Sequence, residues 1–388
     1  MNVIVNGKIV TPHDILEGHA VLIEHDQILD IVPQEKVKGG RQIDAKGGYI
    51  TPGFVDIHSD YIETIISPRP TSLMDFQMGI RETERILMTH GITTIFHSLS
   101  IYKDDGFSHK PIRNPQNVNR LIDAINDTHT SEHLIRNRMH ARFEIDNIEQ
   151  VNQFIQNIED EKVHLISFMD HSPGQGQYRD LQIYRETLRG YKDLTDEEVE
   201  ELIKNGMNKN KVTFEQIKEI SELALSKGIA VASHDDDSID KLHLVQSYGT
   251  TISEFPTTLE VAKKAKSLGL CTIAGAPNVM LGGSHSGNLC ATEAMKEGAI
   301  DVLCSDYYPP AMLHAIFKLH KEQDLPLVDL FRFVTLNPAK AVHMDHEIGS
   351  IEVGKKADLL IIEQMNDGYP IITATFVDGK LITRMNYR

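Results

Sequence analysis

Short apolar runs broken by turn residues occupy both ends of this chain. Longer alternations of strand-like and helix-like runs fill the middle. Near the start, VIVNGKIV reads as two strands around Asn6-Gly7, a hairpin signal. AVLIEHDQILDIVP repeats the pattern with a turn at His25-Asp26. Near the end, KADLLIIE, ITATFVDG and KLITRMN are strand-like, with a turn at Asp378-Gly379. Two β-rich ends flanking one long middle predict a small β-sandwich built jointly from residues 1–52 and 341–388.

Within 53–340 the strand-like runs are FVDIHSD (54–60), ITTIFHS (92–98), RMHARFEI (138–145) and VHLISFMD (163–170). They continue as IAVASHD (229–235), TTISEF (250–255), LCTIAGA (270–276) and IDVLCSD (300–306). Helical patterns fall between them, such as DFQMGIRETERILMTHG, closed by Gly91. Strands that alternate with helices in this way predict an α/β fold, a closed (β/α)8 TIM barrel. The charged stretch 171–212 reads as an insertion after the fourth strand, and KDLTDEEVEELIKN within it as a capped, solvated helix.

Charge narrows the partners. With 39 basic and 56 acidic residues the net charge is −17, which argues against nucleic-acid binding by general electrostatics. An anionic substrate then needs a local positive site. The three cysteines sit in apolar contexts and form neither a disulfide framework nor a zinc ribbon. MNVIVNGKIVTPHD lacks the features of a signal peptide, and no apolar run is long enough for a membrane span. A cytoplasmic enzyme with no membrane partner is the expectation. Nineteen histidines are the first hint of metal chemistry.

Ionisable residues gather where the strands end. Strand one ends in His58-Ser59-Asp60, strand two in His97, strand four in Asp170-His171 and strand five in His234-Asp235-Asp236-Asp237. Strand six carries Glu254 and strand eight ends in Asp306. Residues i and i+2 of a strand face the same way, so His58 and Asp60 are expected to converge. A barrel gathers its C-terminal strand ends at one mouth. A single histidine after a strand is more often a hydrogen-bonded loop residue. Recurrence of His58, Asp60, His234 and Asp306 at one relative place in four βα units favours a divalent-metal site. His97 stays open between a supporting and a structural role.

GGYITPGFVDIHSD, and TLNPAKAVHMDHEIGSIEVGKKADLLIIE at the other end, resemble the amidohydrolase superfamily. Two positions depart from its usual pattern: His58-x-Asp60 stands for His-x-His, and Glu254 for a second histidine. HSDYIETIISPRP, SFMDHSPGQGQYRD, ASHDDD, ISEFPTTLE, GAPNVMLGGSHSGN and SDYYP resemble one branch of it. That branch is the α-D-ribose 1-methylphosphonate 5-triphosphate diphosphatases of carbon–phosphorus lyase pathways. The resemblance implies hydrolysis of a small phosphorylated substrate to a 5-phosphate and pyrophosphate. It implies one or two divalent ions, zinc, manganese or similar. His58, Asp60, Asp170, His234 and Glu254 are the implied ligands. Asp306 is the implied catalytic carboxylate and also an implied metal ligand. His171 competes with Asp170 for the strand-four position and is otherwise a substrate contact. Glu254 is either a ligand or an acceptor for a histidine N–H. For the phosphates, the candidates are His285 in the small-residue loop 281–288, Arg69, and Arg179 and Arg185 in the insertion. The alternative activity is cleavage of a C–N bond, as in a cyclic amide hydrolase or nucleobase deaminase. A non-catalytic scaffold would show incomplete metal ligation. A homodimer is the commonest assembly for such enzymes.

Overall fold

A computed structural model describes residues 1–101, 111–174, 181–191, 194–207, 209–284 and 288–387. The middle of the chain forms eight parallel strands. These are β1 (Phe54–Ser59), β2 (Ile92–Ile101), β3 (Arg136–Glu144), β4 (Leu165–Met169), β5 (Ala230–His234), β6 (Ile252–Glu254), β7 (Cys271–Gly275) and β8 (Val302–Cys304). They pair in sequence order. The two ends of the sheet meet through one parallel bridge between Ser59 and Asp306. There the Asp306 amide donates to the His58 carbonyl, and the Asp60 amide to the Asp306 carbonyl, both at 3.0 Å.

The barrel is filled from below with apolar side chains. Val55, Ile57, Phe96, Leu165, Ala230, Ile252 and Val302 share one cluster with Ala339, Val342 and Ile348. The segment carrying the last three follows the barrel and covers the N-terminal ends of its strands. The outward faces pack on helices: Met139, Ala141, Phe143, Ile166 and Val231 join Leu121, Ile122 and Phe154. With both faces buried, the strands read as continuous apolar runs rather than as alternations.

Both termini build the second unit. A four-stranded sheet holds Asn2–Val5, His19–Glu24, Gln27–Pro33 and Arg41–Asp44. A six-stranded sheet joins Lys8–Val10, Ile15–Leu16 and Tyr49–Pro52 to the C-terminal Leu359–Gln364, Pro370–Val377 and Lys380–Arg384. Ile4, Ile9, Val21, Ile50, Leu359 and Phe376 share the core between them. The turns at His25-Asp26 and Asp378-Gly379 close antiparallel pairs. Asn6-Gly7 does not. Its flanking strands lie in different sheets, so the turn is a corner and not a hairpin. Asn6 takes φ 57°, and a Cβ on Gly7 would come within 2.6 Å of Ile50. The dipeptide is needed for a left-handed turn and a close approach, which a corner and a hairpin share.

Arg136 at the foot of β3 ties the two units together through Asp358 and Asp378. After β4 the insertion contributes helices Leu181–Tyr191 and Asp196–Met207, joined by Tyr184, Leu188, Val199 and Ile203. Thr195 and Glu198 cap the second helix reciprocally, as its sequence anticipates. The helix Phe76–Thr89 is followed by Gly91 at φ 84°. Among the described residues no helix is long and apolar enough to cross a membrane.

Candidate active site at the barrel mouth

The backbone at the C-terminal strand ends is irregular where the chemistry gathers. Between β1 and β2 the pairing passes from Asp56↔Ile95 to Ser59↔His97. Ile57 and His58 therefore oppose Phe96 alone, a β-bulge. A bulge re-aims the side chain it carries. Ile57 packs in the lower core while His58 reaches the polar mouth. Asp235, Phe255 and Asp306 follow β5, β6 and β8 with φ of 50°, 54° and 56°. Left-handed non-glycine residues are uncommon and cluster at functional sites.

Glu254 lies at the centre and is fully buried. Its Oε1 is 3.0 Å from His58 Nδ1 and its Oε2 is 3.2 Å from His234 Nδ1. A carboxylate only accepts, so both imidazoles carry their proton on Nδ1 and keep the Nε2 lone pair. The two rings stack 5.6 Å apart, with Phe255 edge-on to both. Burial, followed by the Arg142 charge, holds both histidines well below the ordinary imidazole range. Glu254 itself is raised by burial, partly offset by His140 and Arg142. His140 lies beneath, with Nε2 3.7 Å from Glu254 and 2.9 Å from Ser167 Oγ, and Nδ1 3.0 Å from Ser98 Oγ. Burial lowers it to about 3.

Among the described residues, two groups have ligand atoms within 4.8 Å of one another: His58, His140 and Glu254, and His171, His234 and Asp235. Imidazoles and carboxylates suit zinc-like and manganese-like ions, so the residues fit a divalent cation. In the second group His171 Nδ1 is hydrogen-bonded to Glu144. Burial would lower His171, but the Glu144 charge and hydrogen bond raise it overall. Asp235 lies 3.5 Å from His234 Nε2 and is pushed up to about 6 by burial, against the pull of His171. Asp306 is pushed up to about 7, first by burial and then by the neighbouring Asp60 charge. A Cβ on Gly275 would lie 3.2 Å from Asp306 Oδ2, so Gly275 leaves room for this carboxylate.

Comparison with known proteins accords with this geometry. A family model described as "Amidohydrolase family" matches residues 49–382. The chain belongs to the amidohydrolase family. A model for the "NagA composite domain" matches residues 1–49. A relative from Escherichia coli K12, alpha-D-ribose 1-methylphosphonate 5-triphosphate diphosphatase, is 30% identical over 98% of this chain and 100% of its own. An N-acetylglucosamine-6-phosphate deacetylase from Haemophilus influenzae is 22% identical over 97% and 98%. The crystal structure of the Pasteurella multocida deacetylase of that name aligns with TM-score 0.65 and 15% identity, over 99% and 100% of the two chains. That likeness concerns the fold.

In this amidohydrolase His58, His234, Glu254 and Asp306 lie together at the mouth, and Asp60 is near enough to shift Asp306. Asp60 is the N-cap of helix Tyr61–Ile66 with φ −96° and ψ 10°. Its direction comes from that turn and not from strand alternation. Asp170 is held by Lys211 at 2.6 Å and the Ser172 amide at 3.0 Å. His171, and not Asp170, enters a metal-capable group. The reason is parity: Leu165 and Ser167 face inward on β4, and residue 171 continues that face. Arg69 is exposed in a turn with Ser72. Arg185 donates to Glu200 of the next helix at 2.7 Å. Arg179 and His285 lie outside the described residues, as does most of the histidine-bearing part of the 281–288 loop. His97 bonds Asn137 at 2.9 Å, a structural contact below the mouth. Sequence reasoning named Asp235 at the end of strand five without choosing it as a ligand, and it passed over the inward row of β3, His140, Arg142 and Glu144. The signal was there: three polar residues at i, i+2 and i+4 of one strand.

Proposed function

We propose that this chain is a metal-dependent hydrolase that cleaves a ribose 5-triphosphate, releasing pyrophosphate and leaving a 5-phosphate. The substrate class is α-D-ribose 1-methylphosphonate 5-triphosphate, and the setting is phosphonate catabolism. The observation that carries it is the full-length similarity to a diphosphatase of that name. The buried histidine and carboxylate groups support it.

His171, His234 and Asp235 would hold an ion, with His58 offering Nε2 beside them. Glu254 takes the orienting role of its two expected ones: it locks the Nδ1 protons of His58 and His234 and presents their Nε2 atoms. When bound, a divalent cation lowers the pKa of a water toward about 7 and polarises the phosphoryl oxygen under attack. Asp306 sits where it can take the proton of the attacking water. General-base help of this kind contributes about 10²–10⁴-fold. Asp60 disfavours a second negative charge beside it, which keeps Asp306 ready to hold the proton. Glu144 fixes the His171 ring through Nδ1.

The test is direct. Metal-loaded protein is given α-D-ribose 1-methylphosphonate 5-triphosphate, and pyrophosphate is assayed. Release that disappears in Asp306→Asn, with fold and metal retained, is expected. Undiminished turnover in that variant would sink the mechanism. Ammonia or a ring-opened acid from nucleobases or cyclic amides, with no pyrophosphate, would favour C–N cleavage. That alternative draws on a 33% identical match of 24% of this chain to an adenine deaminase of Clostridium botulinum.

A further inference from the structure

Arg142 projects from β3 into the mouth, and its guanidinium has an unusual set of neighbours. Nη2 lies 3.0 Å from His234 Nε2. Nε is buried with no hydrogen-bond partner. Among the described residues no carboxylate pairs with it. Among the described residues, the lysines beside these strand ends are engaged: Lys241 donates to the carbonyls of His234 and Asp235, and Lys211 to Asp170. Arg142 is half-buried, and its enclosed Nε has given up water without gaining an acceptor. Arg142 is surrounded by acids, and its charge is felt by Glu254, Asp235 and Asp306. None of them has closed on it.

The His234 contact makes the position specific. Glu254 fixes the His234 proton on Nδ1, so Nε2 has one lone pair. One lone pair serves one partner. Whatever ion takes His234 Nε2 frees the Nη2 donor of Arg142 beside it. A guanidinium offers a planar fork that fits two phosphoryl oxygens.

We propose that Arg142 is the phosphate-recognising residue of this site: its guanidinium receives a phosphoryl group of the substrate next to the cation held by His234. The inference rests on the phosphoanhydride reading above and names the residue that reads the anion. It answers the demand set by the net charge of −17, since an anionic substrate needs a local positive site.

The experiment uses the metal-loaded protein and inorganic pyrophosphate, with free divalent ion held constant. Calorimetry gives the pyrophosphate Kd, and elemental analysis gives the metal content. Arg142→Gln is expected to keep its metal and to bind pyrophosphate at least ten-fold more weakly. Its KM for the triphosphate should rise by a similar factor. Arg142→Lys restores charge without the fork and should fall between the two; it carries the test alone if Arg142→Gln does not fold. Unchanged pyrophosphate affinity overturns the proposal. So does loss of metal together with affinity, which would make Arg142 a prop for His234. If the wild-type protein binds pyrophosphate through Arg142 yet cleaves no phosphoanhydride, the proposed function fails and the anion site stands. If it cleaves the triphosphate while Arg142→Gln binds pyrophosphate normally, only the anion site fails.

Discussion

The substitution Glu254→Gln isolates the centre of the site. Glu254 has no exposed surface, and its two oxygens accept from His58 Nδ1 at 3.0 Å and His234 Nδ1 at 3.2 Å. Glutamine has nearly the same shape but one acceptor oxygen and one NH2 donor. One histidine can keep its bond. The other meets a donor and must move its proton to Nε2, which removes the lone pair a cation would use. The loss expected from breaking such a supporting bond is about 10–100-fold in metal affinity, or about 1.4–2.8 kcal/mol. Folding stability should move less, because glutamine also removes a carboxylate that burial holds in an unfavourable state. The assay is competition for metal against a chromophoric chelator, with thermal melting of the metal-free protein as control. A Kd for metal equal to that of the wild type would show that Glu254 does not set the imidazole tautomers.

Other outcomes follow from the same geometry. Asp306→Asn should lower kcat by about 10²–10⁴-fold while metal content stays constant, as removal of a general base does; loss of metal would make Asp306 chiefly a ligand. His171→Asn should reduce metal binding while Asp170→Asn leaves it intact, because Asp170 is occupied by Lys211; the reverse order would restore Asp170 as the strand-four ligand. His97 should cost the metal-free protein stability on acidification, because burial lowers it to about 4 and the unfolded chain binds its proton first as pH falls below about 6.5. That loss is about 1.4 kcal/mol per pH unit down to the folded pKa, and Asp235 and Asp306, raised by burial, work in the opposite direction. It is therefore read as the stability difference between wild type and His97→Gln, and a difference that stays constant between about pH 6.5 and pH 5 would contradict it. Arg136→Met should destabilise by about 3–5 kcal/mol, since it strands the buried Asp358 charge; a melting point within a degree of the wild type would count against the tie between barrel and sandwich.

The barrel was legible because its strands are buried on both faces, so each appears as an apolar run between helical patterns. That same burial hid the inward parity. LISFM on β4 is buried at every position, and nothing in it says whether Asp170 or His171 continues the inner face. The packing of Leu165 and the Ser167–His140 bond decide it. His58 was located by its place at a strand end, but its aim comes from a bulge, and a one-residue insertion in a ladder leaves no mark in hydrophobicity. Arg142 and Glu144 were readable in principle from the i, i+2 rule on RMHARFEI. They lie within the strand, where a polar residue reads as an interruption of the apolar run and not as part of the cluster at the strand ends. At Asn6-Gly7 the local chemistry was read correctly as a turn. Its partner strands were not, because pairing is set by the sandwich core that Ile4 and Ile9 enter together.

The most direct measurement is phosphorus NMR of the metal-loaded protein with α-D-ribose 1-methylphosphonate 5-triphosphate. The three triphosphate signals should give way to pyrophosphate and a single 5-phosphate monoester in equal amounts. Orthophosphate with a 5-diphosphate, or an untouched triphosphate beside a fully metallated protein, would contradict it.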